Sequence, residues 1–276
     1  MKRVRDKALA SAKWAAGIAI AISAAALPVR AAGLFYTGSA LFSSGTYGFT
    51  ERTTGFSLSN GLNLYVHPFR VSATVPAIGQ STPLISTTAT GVIPDGSMGD
   101  GKGSLDASET SYSSVYGIGD PVVRVDLEAF GIRAHLPAMQ IFGQTKIPLA
   151  DPADGLGTGE WDFTAGLSLS KSAGRNFVLV EAAYWMLGDS PEAELENPFS
   201  LNASLGRSFA GRKAMASAIF SACTEIVPGT EPPRQIGAGF NYLTRSGRGI
   251  GGTAMIGLSE STSDVSVSLG WTIPLN

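Results

Sequence analysis

The chain has 276 residues, of which 44% are hydrophobic and only 15% are charged, and it contains 34 glycines. Its formal charge is −2, and it becomes −7 without residues 1–31, which hold six basic residues and one acidic residue. A chain this acidic is not expected to bind nucleic acid. Cys223 is the single cysteine, so composition also excludes an intrachain disulfide and a cysteine-based metal site.

The first 31 residues predict an export signal. Five basic residues flank the start of an apolar run at 14–27, and the small-residue sequence Val29-Arg30-Ala31 follows. This order is typical of a signal peptide, with cleavage after Ala31. The alternative is a retained membrane anchor, but the run is about 14 residues long and a spanning helix needs roughly 20. Residues 32–276 are then predicted to be the mature domain.

Beyond residue 31, hydrophobic residues recur at every second position in about twelve segments, which is the period of a β-strand. The first segment, 46–53, is weak, and residues 32–45 before it are interpreted as a periplasmic extension or a plug. Clear strands follow at 56–66 and 69–75, joined by a tight His67-Pro68 turn. Residues 77–116 are rich in Gly, Ser, Thr and Asp and are predicted to form the longest, extracellular loop.

The later strands separate their charges from their hydrophobic residues. They are predicted at 123–129, 139–147, 161–170, 177–186, 199–205, 216–223, 235–242, 250–258 and 265–273. In the first of them, Arg124, Asp126 and Glu128 alternate with hydrophobic residues. The last, 265–273, is apolar on one face and small and polar on the other. A soluble sandwich would also alternate, so the connections must decide between the two folds.

The connections sort by length and charge. Every second one is short and basic, as at 171–175, 211–213 and 245–248, whereas those between are longer and acidic. This asymmetry is typical of an outer-membrane barrel with periplasmic turns and extracellular loops. We therefore predict an all-β fold: a transmembrane antiparallel up-and-down β-barrel of about 12 strands in the cell outer membrane. The expected partners are outer-membrane lipid, lipopolysaccharide and the barrel-assembly machinery.

In such a barrel, charged side chains must face the lumen, because a lipid-facing charge costs about 2–4 kcal/mol at mid-bilayer. Opposite charges on adjacent inward faces predict a transverse field at a constriction that selects solutes. The predicted lumen and constriction residues are Arg124, Asp126, Glu128, Lys146, Glu160, Asp162, Glu181 and Trp185. Trp185, with Phe177 and Leu179, would add an apolar track. The alternative is that these charges pair and merely fill a narrow barrel.

Motifs for catalysis and cofactors are weak. Ser168-x-x-Lys171 falls at a strand end, where a serine–lysine hydrolase motif would open a helix. Gly155-x-Gly157-x-Gly159 precedes no helix that could hold a phosphate, so it is interpreted as a flexible loop. The two histidines, His67 and His135, lie near predicted periplasmic turns. No catalytic residue, metal or cofactor is predicted.

One block resembles a known family. It comprises Gly117-Ile118-Gly119-Asp120, Lys146-Ile147-Pro148, Asp151, Gly155-Leu156-Gly157-Thr158-Gly159 and Asp162, and is supported by 184–189 and Val75-Pro76. It resembles the outer-membrane transporters described as phenol-degradation meta-pathway proteins. The resemblance implies a barrel that admits aromatic compounds.

The predicted function is passive uptake of small, hydrophobic or aromatic solutes. The alternative is a structural or adhesive barrel, and the third possibility is a membrane-embedded lipid hydrolase.

Overall fold

The computed structural model describes residues 33–47, 52–81, 85–88, 91–94, 114–131, 136–150, 155–188 and 195–275. The predicted signal peptide at 1–31 lies outside these ranges. None of the helical structure within the described ranges is long and apolar enough to cross a membrane.

The described residues form fifteen β-strands and one short 3-10 helix, Ala210–Arg212. The strands are β1 (Gly33–Gly45), β2 (Thr53–Val66), β3 (Phe69–Gln80), β4 (Ile85–Thr88), β5 (Gly91–Pro94), β6 (Val115–Ile118), β7 (Val122–Phe130), β8 (Ala138–Lys146), β9 (Asp162–Ala173), β10 (Asn176–Met186), β11 (Phe199–Phe209), β12 (Ala214–Cys223), β13 (Arg234–Leu243), β14 (Gly249–Gly257) and β15 (Val265–Pro274).

All strands except the β4–β5 hairpin belong to one closed antiparallel sheet. Consecutive strands are neighbours, and β1 closes the barrel by pairing with β15 from Phe35 opposite Pro274 to Ser44 opposite Val265. Strands β6 and β7 both pair with β3, so they form a single wall that is interrupted at residues 119–121. The predicted antiparallel barrel of about 12 strands is therefore confirmed.

The first strand was predicted in the wrong place. Strand β1 spans Gly33–Gly45, so residues 33–45 form a wall of the barrel, and the predicted strand at 46–53 covers mainly the connection to β2. The alternation in β1 is blurred because its outward face contains a glycine, Gly38. The Trp271 ring of β15 fills that space, and a Cβ on Gly38 would lie 2.3 Å from it.

The predicted loop at 77–116 is shorter than expected at both ends. Strand β3 continues to Gln80, and β6 begins at Val115 and pairs with it. The β4–β5 hairpin lies within the remaining connection. Small residues such as Ala77 and Gly79 hide the strand period here, because they give no contrast between the two faces.

The two faces of the barrel wall differ in chemistry. Large hydrophobic residues face outward, for example Leu205, which is 65% exposed, and Leu269. Small polar residues such as Ser39 and Ser268 face inward and are buried. The connections also divide: those after β1, β3, β8, β10, β12 and β14 are at the long-loop end, and those after β2, β7, β9, β11 and β13, such as Gly174-Arg175, are at the short-turn end.

Candidate functional site

Four charged side chains form a chain of ion pairs inside the barrel, which we call the arginine cluster: Arg70, Arg124, Asp126 and Glu181. Arg70 of β3 binds Asp126 of β7 through Nε and Nη2, at 2.9 and 2.8 Å. Arg124 Nε lies 3.0 Å from Asp126 Oδ1, and its Nη2 lies 3.0 Å from Glu181 Oε2. All four side chains are at most 18% exposed. Charges of alternating sign therefore run from β3 to β10.

The Arg124–Glu181 pair spans the inner surface of β8 and β9, which lie between its two strands. Phe142 of β8 supports the pair: the Arg124 guanidinium carbon lies 3.6 Å from the centre of its ring, a cation–π contact. Gly166 on β9 leaves room for this ring, since a Cβ there would lie 2.4 Å from it. The pair is thus held by an aromatic residue beneath it.

Sequence analysis did not select Arg70 or Phe142. Arg70 shares a face with Ser72 and Thr74 and lies opposite Asp126 in the β3–β7 register. Its position on the polar face of β3 could have identified it as an inward residue. The pairing of β3 with β7, which brings it opposite Asp126, could not be predicted, because a long connection separates the two strands. Phe142 is an inward aromatic residue, which a rule of polar residues inside and hydrophobic residues outside cannot identify.

A second group, the lysine cluster, lies at the long-loop end and comprises Asp120, Lys146, Thr158 and Asp162. Lys146 is 1% exposed, and its Nζ lies 3.1 Å from Asp162 Oδ2 and 3.4 Å from Asp120 Oδ2. It also donates to Thr158 Oγ1. Two carboxylates around one ammonium are buried together, so loss of the ammonium would leave them in repulsion.

Backbone groups orient the two carboxylates of the lysine cluster. Asp120 Oδ1 accepts from the N–H groups of Leu149 and Ala150, at 2.9 and 2.8 Å. Asp162 Oδ1 accepts from the N–H of Gly188, at 3.1 Å. The cluster therefore ties the β8–β9 and β10–β11 connections to the barrel wall.

The glycine-rich motif, residues 155–159, packs into the barrel mouth, and we call it the inner loop. The sequence suggested a flexible loop, and the structure shows that residues 155–158 of this segment are buried. Leu156 is 2% exposed and packs with Ile78 and Ala150. Glycines provide the space: a Cβ on Gly117 would lie 2.4 Å from Leu156, and one on Gly157 would lie 2.8 Å from both Asp120 oxygens. The glycines at 117 and 157 therefore allow the inner loop to pack closely against its neighbours.

A second apolar cluster lies at the same long-loop end, and we call it the tryptophan cluster. Its members are Phe142, Ala183, Trp185, Leu187, Leu195 and Ile226. Leu195 and Ile226 come from two connections that are joined where Glu196 N–H donates to the Ile226 carbonyl, at 2.8 Å. Trp185 is 3% exposed and donates from Nε1 to Ser200 Oγ at 3.0 Å. It is therefore covered by loops, and in this conformation it does not line the predicted apolar track.

Two predicted site residues belong to none of the three clusters. Glu128 lies at the short-turn end, where its Oε2 is 3.9 Å from His67 Nδ1 and its side chain is 36% exposed. Glu160 lies just before β9, and its backbone N–H and carbonyl contact Thr158 Oγ1 at 3.4 and 3.3 Å. The eight predicted residues thus do not form one ladder. Four are in the two ionic clusters on β7, β8 and β9, Glu181 completes the first, and Trp185 belongs to the apolar cluster.

Hydroxyl and amide groups line the inward faces of the other described strands. Strands β11–β15, β1 and β2, which we call the hydroxyl wall, carry no charged residue on the inward faces that the structure describes. Their side chains bond locally: Thr253 Oγ1 and Ser268 Oγ are 2.7 Å apart, and Asn63 donates to Thr37 at 2.8 Å. We call β3 and β6–β10 the charged wall.

Within the described ranges, no group of His, Cys, Asp and Glu is arranged to hold a metal ion.

Comparison with solved structures identifies similar barrels. An outer-membrane channel from Pseudomonas putida F1 superposes with a TM-score of 0.64 at 13% identity, covering 91% of this chain and 97% of that one. The CymD monoaromatic hydrocarbon channel covers 87% of both chains at 10% identity and a TM-score of 0.47. The translocator domain of the autotransporter NalP from Neisseria meningitidis covers 93% of both chains at 13% identity and a TM-score of 0.47.

The first of these similarities supports the fold, and the two with a TM-score of 0.47 support no conclusion. The sequence matches no protein-family model and no curated protein. The function must therefore be argued from the barrel wall and its interior.

Proposed function

We propose that the protein is an outer-membrane channel through which small solutes diffuse passively. The outward face supports a membrane setting, because it exposes hydrophobic residues on every wall, including Phe56, Ile141, Phe240 and Leu269. A soluble protein rarely exposes contiguous apolar surface of this extent. The barrel is exported by the N-terminal segment, is inserted by the barrel-assembly machinery and contacts membrane lipid and lipopolysaccharide.

The observation that carries the channel proposal is the asymmetric interior. The arginine cluster links β3, β7 and β10 along the charged wall, while the described inward faces of the hydroxyl wall carry no charged residue. Fixed charges beside a neutral polar surface create a local field, and such a constriction selects solutes by charge and polarity. In this proposal Arg124, Asp126 and Glu181 form the constriction, and Lys146 and Asp162 control the entrance at the long-loop end.

The solutes we propose are small and hydrophobic or aromatic. The tryptophan cluster supports this choice, because Trp185, Phe142 and Leu195 would meet a solute that enters between the loops. The family resemblance of the 117–120 and 146–162 block points in the same direction. Entry requires that the loop side chains Leu195 and Ile226 move aside.

Single-channel recording tests the channel proposal. The fourfold exchange of Arg70→Asp, Arg124→Asp, Asp126→Arg and Glu181→Arg keeps the net charge, leaves each charge beside an opposite one and reverses the local field. We expect the ratio of cation to anion permeability to change by roughly twofold or more. Ser204→Ala, on the hydroxyl wall, is the matched control and leaves the ratio unchanged. Unaltered current and selectivity in the exchange variant would remove these residues from the pathway.

A non-transporting structural barrel is the second candidate. It is favoured by the packing at the long-loop end, where the inner loop and the tryptophan cluster each bury apolar side chains. Liposome swelling separates the two candidates. A structural barrel leaves permeability to small solutes at the level of empty liposomes, whereas a channel raises it.

A further inference from the structure

The outward faces of the described strands carry three charged side chains: Lys171 on β9, Arg207 on β11 and Arg234 on β13. Arg234 is the first residue of β13 and lies at the long-loop end. Lys171 and Arg207 lie together at the short-turn end, on two strands that flank β10. Asp162 and Glu181, the acidic residues of β9 and β10, face inward. This part of the outer wall is therefore basic and apolar.

The register brings the two basic residues within reach of each other. Lys171 lies opposite Val178 on β10, and Arg207 lies opposite Asn176, two residues nearer the turn. Strand spacing and rise place their Cα atoms about 12 Å apart. Two long side chains can close this distance around one phosphate, while their aliphatic stems remain against the apolar wall. The exposed amide of Asn176 lies between them.

The adjacent turn adds a third basic residue on a fixed backbone. Arg175 is exposed in the β9–β10 turn, next to both strands. Its carbonyl accepts from the N–H and Oγ of Ser208 on β11, at 2.7 and 3.1 Å. The turn is thus attached to the strand that carries Arg207. The groups that would surround an anion are positioned by the barrel itself.

The level of these charges on the wall is consistent with a headgroup layer. A basic residue on the lipid face costs about 2–4 kcal/mol at mid-bilayer but about 0–1 kcal/mol near an interface. Among the described residues of the short-turn end, the acidic side chain is Glu128, which lies beside His67 on the interior side of β7. The apolar residues above the basic ones, Val178 and Leu205, are exposed and match the hydrocarbon layer that borders the headgroups.

We infer that Lys171, Arg175 and Arg207 form a binding site for the phosphate headgroup of an anionic phospholipid in the leaflet at the short-turn end. This inference rests on the proposed membrane setting, but not on transport. The ligand class is a phosphodiester with net negative charge, and the acyl chains follow the outer wall of β9–β11.

Native mass spectrometry of the full protein in mild detergent tests the site. Phosphatidylglycerol, phosphatidylethanolamine and inorganic phosphate are added separately. We expect phosphatidylglycerol to be retained more strongly than the other two. Arg207→Gln should weaken its retention about fivefold and Lys171→Gln/Arg207→Gln about 25-fold, from about 1 kcal/mol for each basic residue near an anionic surface. Arg234→Gln, an outward arginine at the opposite end, is the matched control and should have no effect.

Three results would overturn the site: equal retention of the anionic and zwitterionic lipids, retention of inorganic phosphate as strong as that of lipid, or equal effects of R207Q and R234Q. Lipid labelling of the outward face and conductance in bilayers without anionic lipid are measured on the same variants. A barrel that inserts and conducts but fails the lipid test loses only the headgroup site. A protein that does not insert into lipid contradicts the proposed function itself.

Discussion

The charged wall and the hydroxyl wall both place polar groups inside the barrel. The two walls differ in how far apart in the barrel the interacting groups are. On the charged wall, long side chains connect β3 to β10 and connect the wall to two loops. On the hydroxyl wall, short side chains bond to the next strand. A buried charge needs a partner more strongly than a hydroxyl does, because its desolvation is more costly. Substitutions should therefore be more damaging on the charged wall.

Removal of the shared carboxylate should have the largest effect. Asp126→Ala leaves two guanidinium groups in the interior without their common partner, and we expect it to lower the free energy of unfolding by about 4 kcal/mol. Urea unfolding in phospholipid vesicles measures this change. Ser204→Ala is the control on the hydroxyl wall, because no described residue hydrogen-bonds to its Oγ. Equal losses in the two variants would contradict the difference between the walls.

Shortening the side chain that anchors the inner loop should come next. Leu156→Ala removes most of a buried side chain between Ile78 and Ala150, and we expect a loss of about 3 kcal/mol. Because the loop occupies the mouth, single-channel conductance should also rise. Leu205→Ala, on the exposed outer face, is the matched variant and should leave conductance unchanged. An unchanged or lower conductance in L156A would show that the loop does not obstruct the pathway.

A methyl group tests how closely the charged wall is packed. Gly166→Ala would bring a Cβ to 2.4 Å from the Phe142 ring and 2.6 Å from the Ala182 carbonyl, so we expect a loss of about 2 kcal/mol. Gly270→Ala on the hydroxyl wall meets its nearest atom at 3.6 Å and should be neutral. Thermal unfolding followed by gel mobility compares them. A neutral G166A would indicate that Phe142, and the Arg124 above it, can shift freely.

The smallest effect concerns the contact between the walls. Trp185 of the charged wall donates to Ser200 of the hydroxyl wall, and Trp185→Phe removes that bond at a cost of about 1 kcal/mol. Trp161→Phe, on the exposed outer face, is the control. Tryptophan fluorescence during urea unfolding reports both variants. A larger loss in W161F than in W185F would mean that the interior bond contributes little.

The sequence predicted strands best where the two faces contrast. In β9, Phe163 and Leu167 are exposed while Asp162, Thr164 and Ser168 are buried, as the alternation indicated. It failed for β1, where the outward Gly38 depends on Trp271, a residue more than 200 positions away. Contacts of this kind are set by the closure of the barrel and have no local signal.

The strand period predicted which charged residues of the candidate site face inward, but not which of them form ion pairs. The inward positions of Arg124, Asp126 and Glu181 follow from strand period, and the structure brings them together. The division into two ionic clusters does not follow, because it depends on which strands are neighbours in the sheet and on the position of the inner loop. Arg70 and Asp120 complete the clusters from positions that are distant in sequence from their partners.

The pairing of β1 with β15 also sets the order of events in biogenesis. The closing seam is reinforced at the long-loop end by Arg52 and Asp264, whose side chains meet at 2.6 Å although they are 212 residues apart in sequence. Contacts between such distant residues carry a high loop-closure cost and slow folding. The cylinder is sealed only where β15 meets β1, so any sheet formed before that contact has two unpaired edges, and unpaired edges readily pair with other chains.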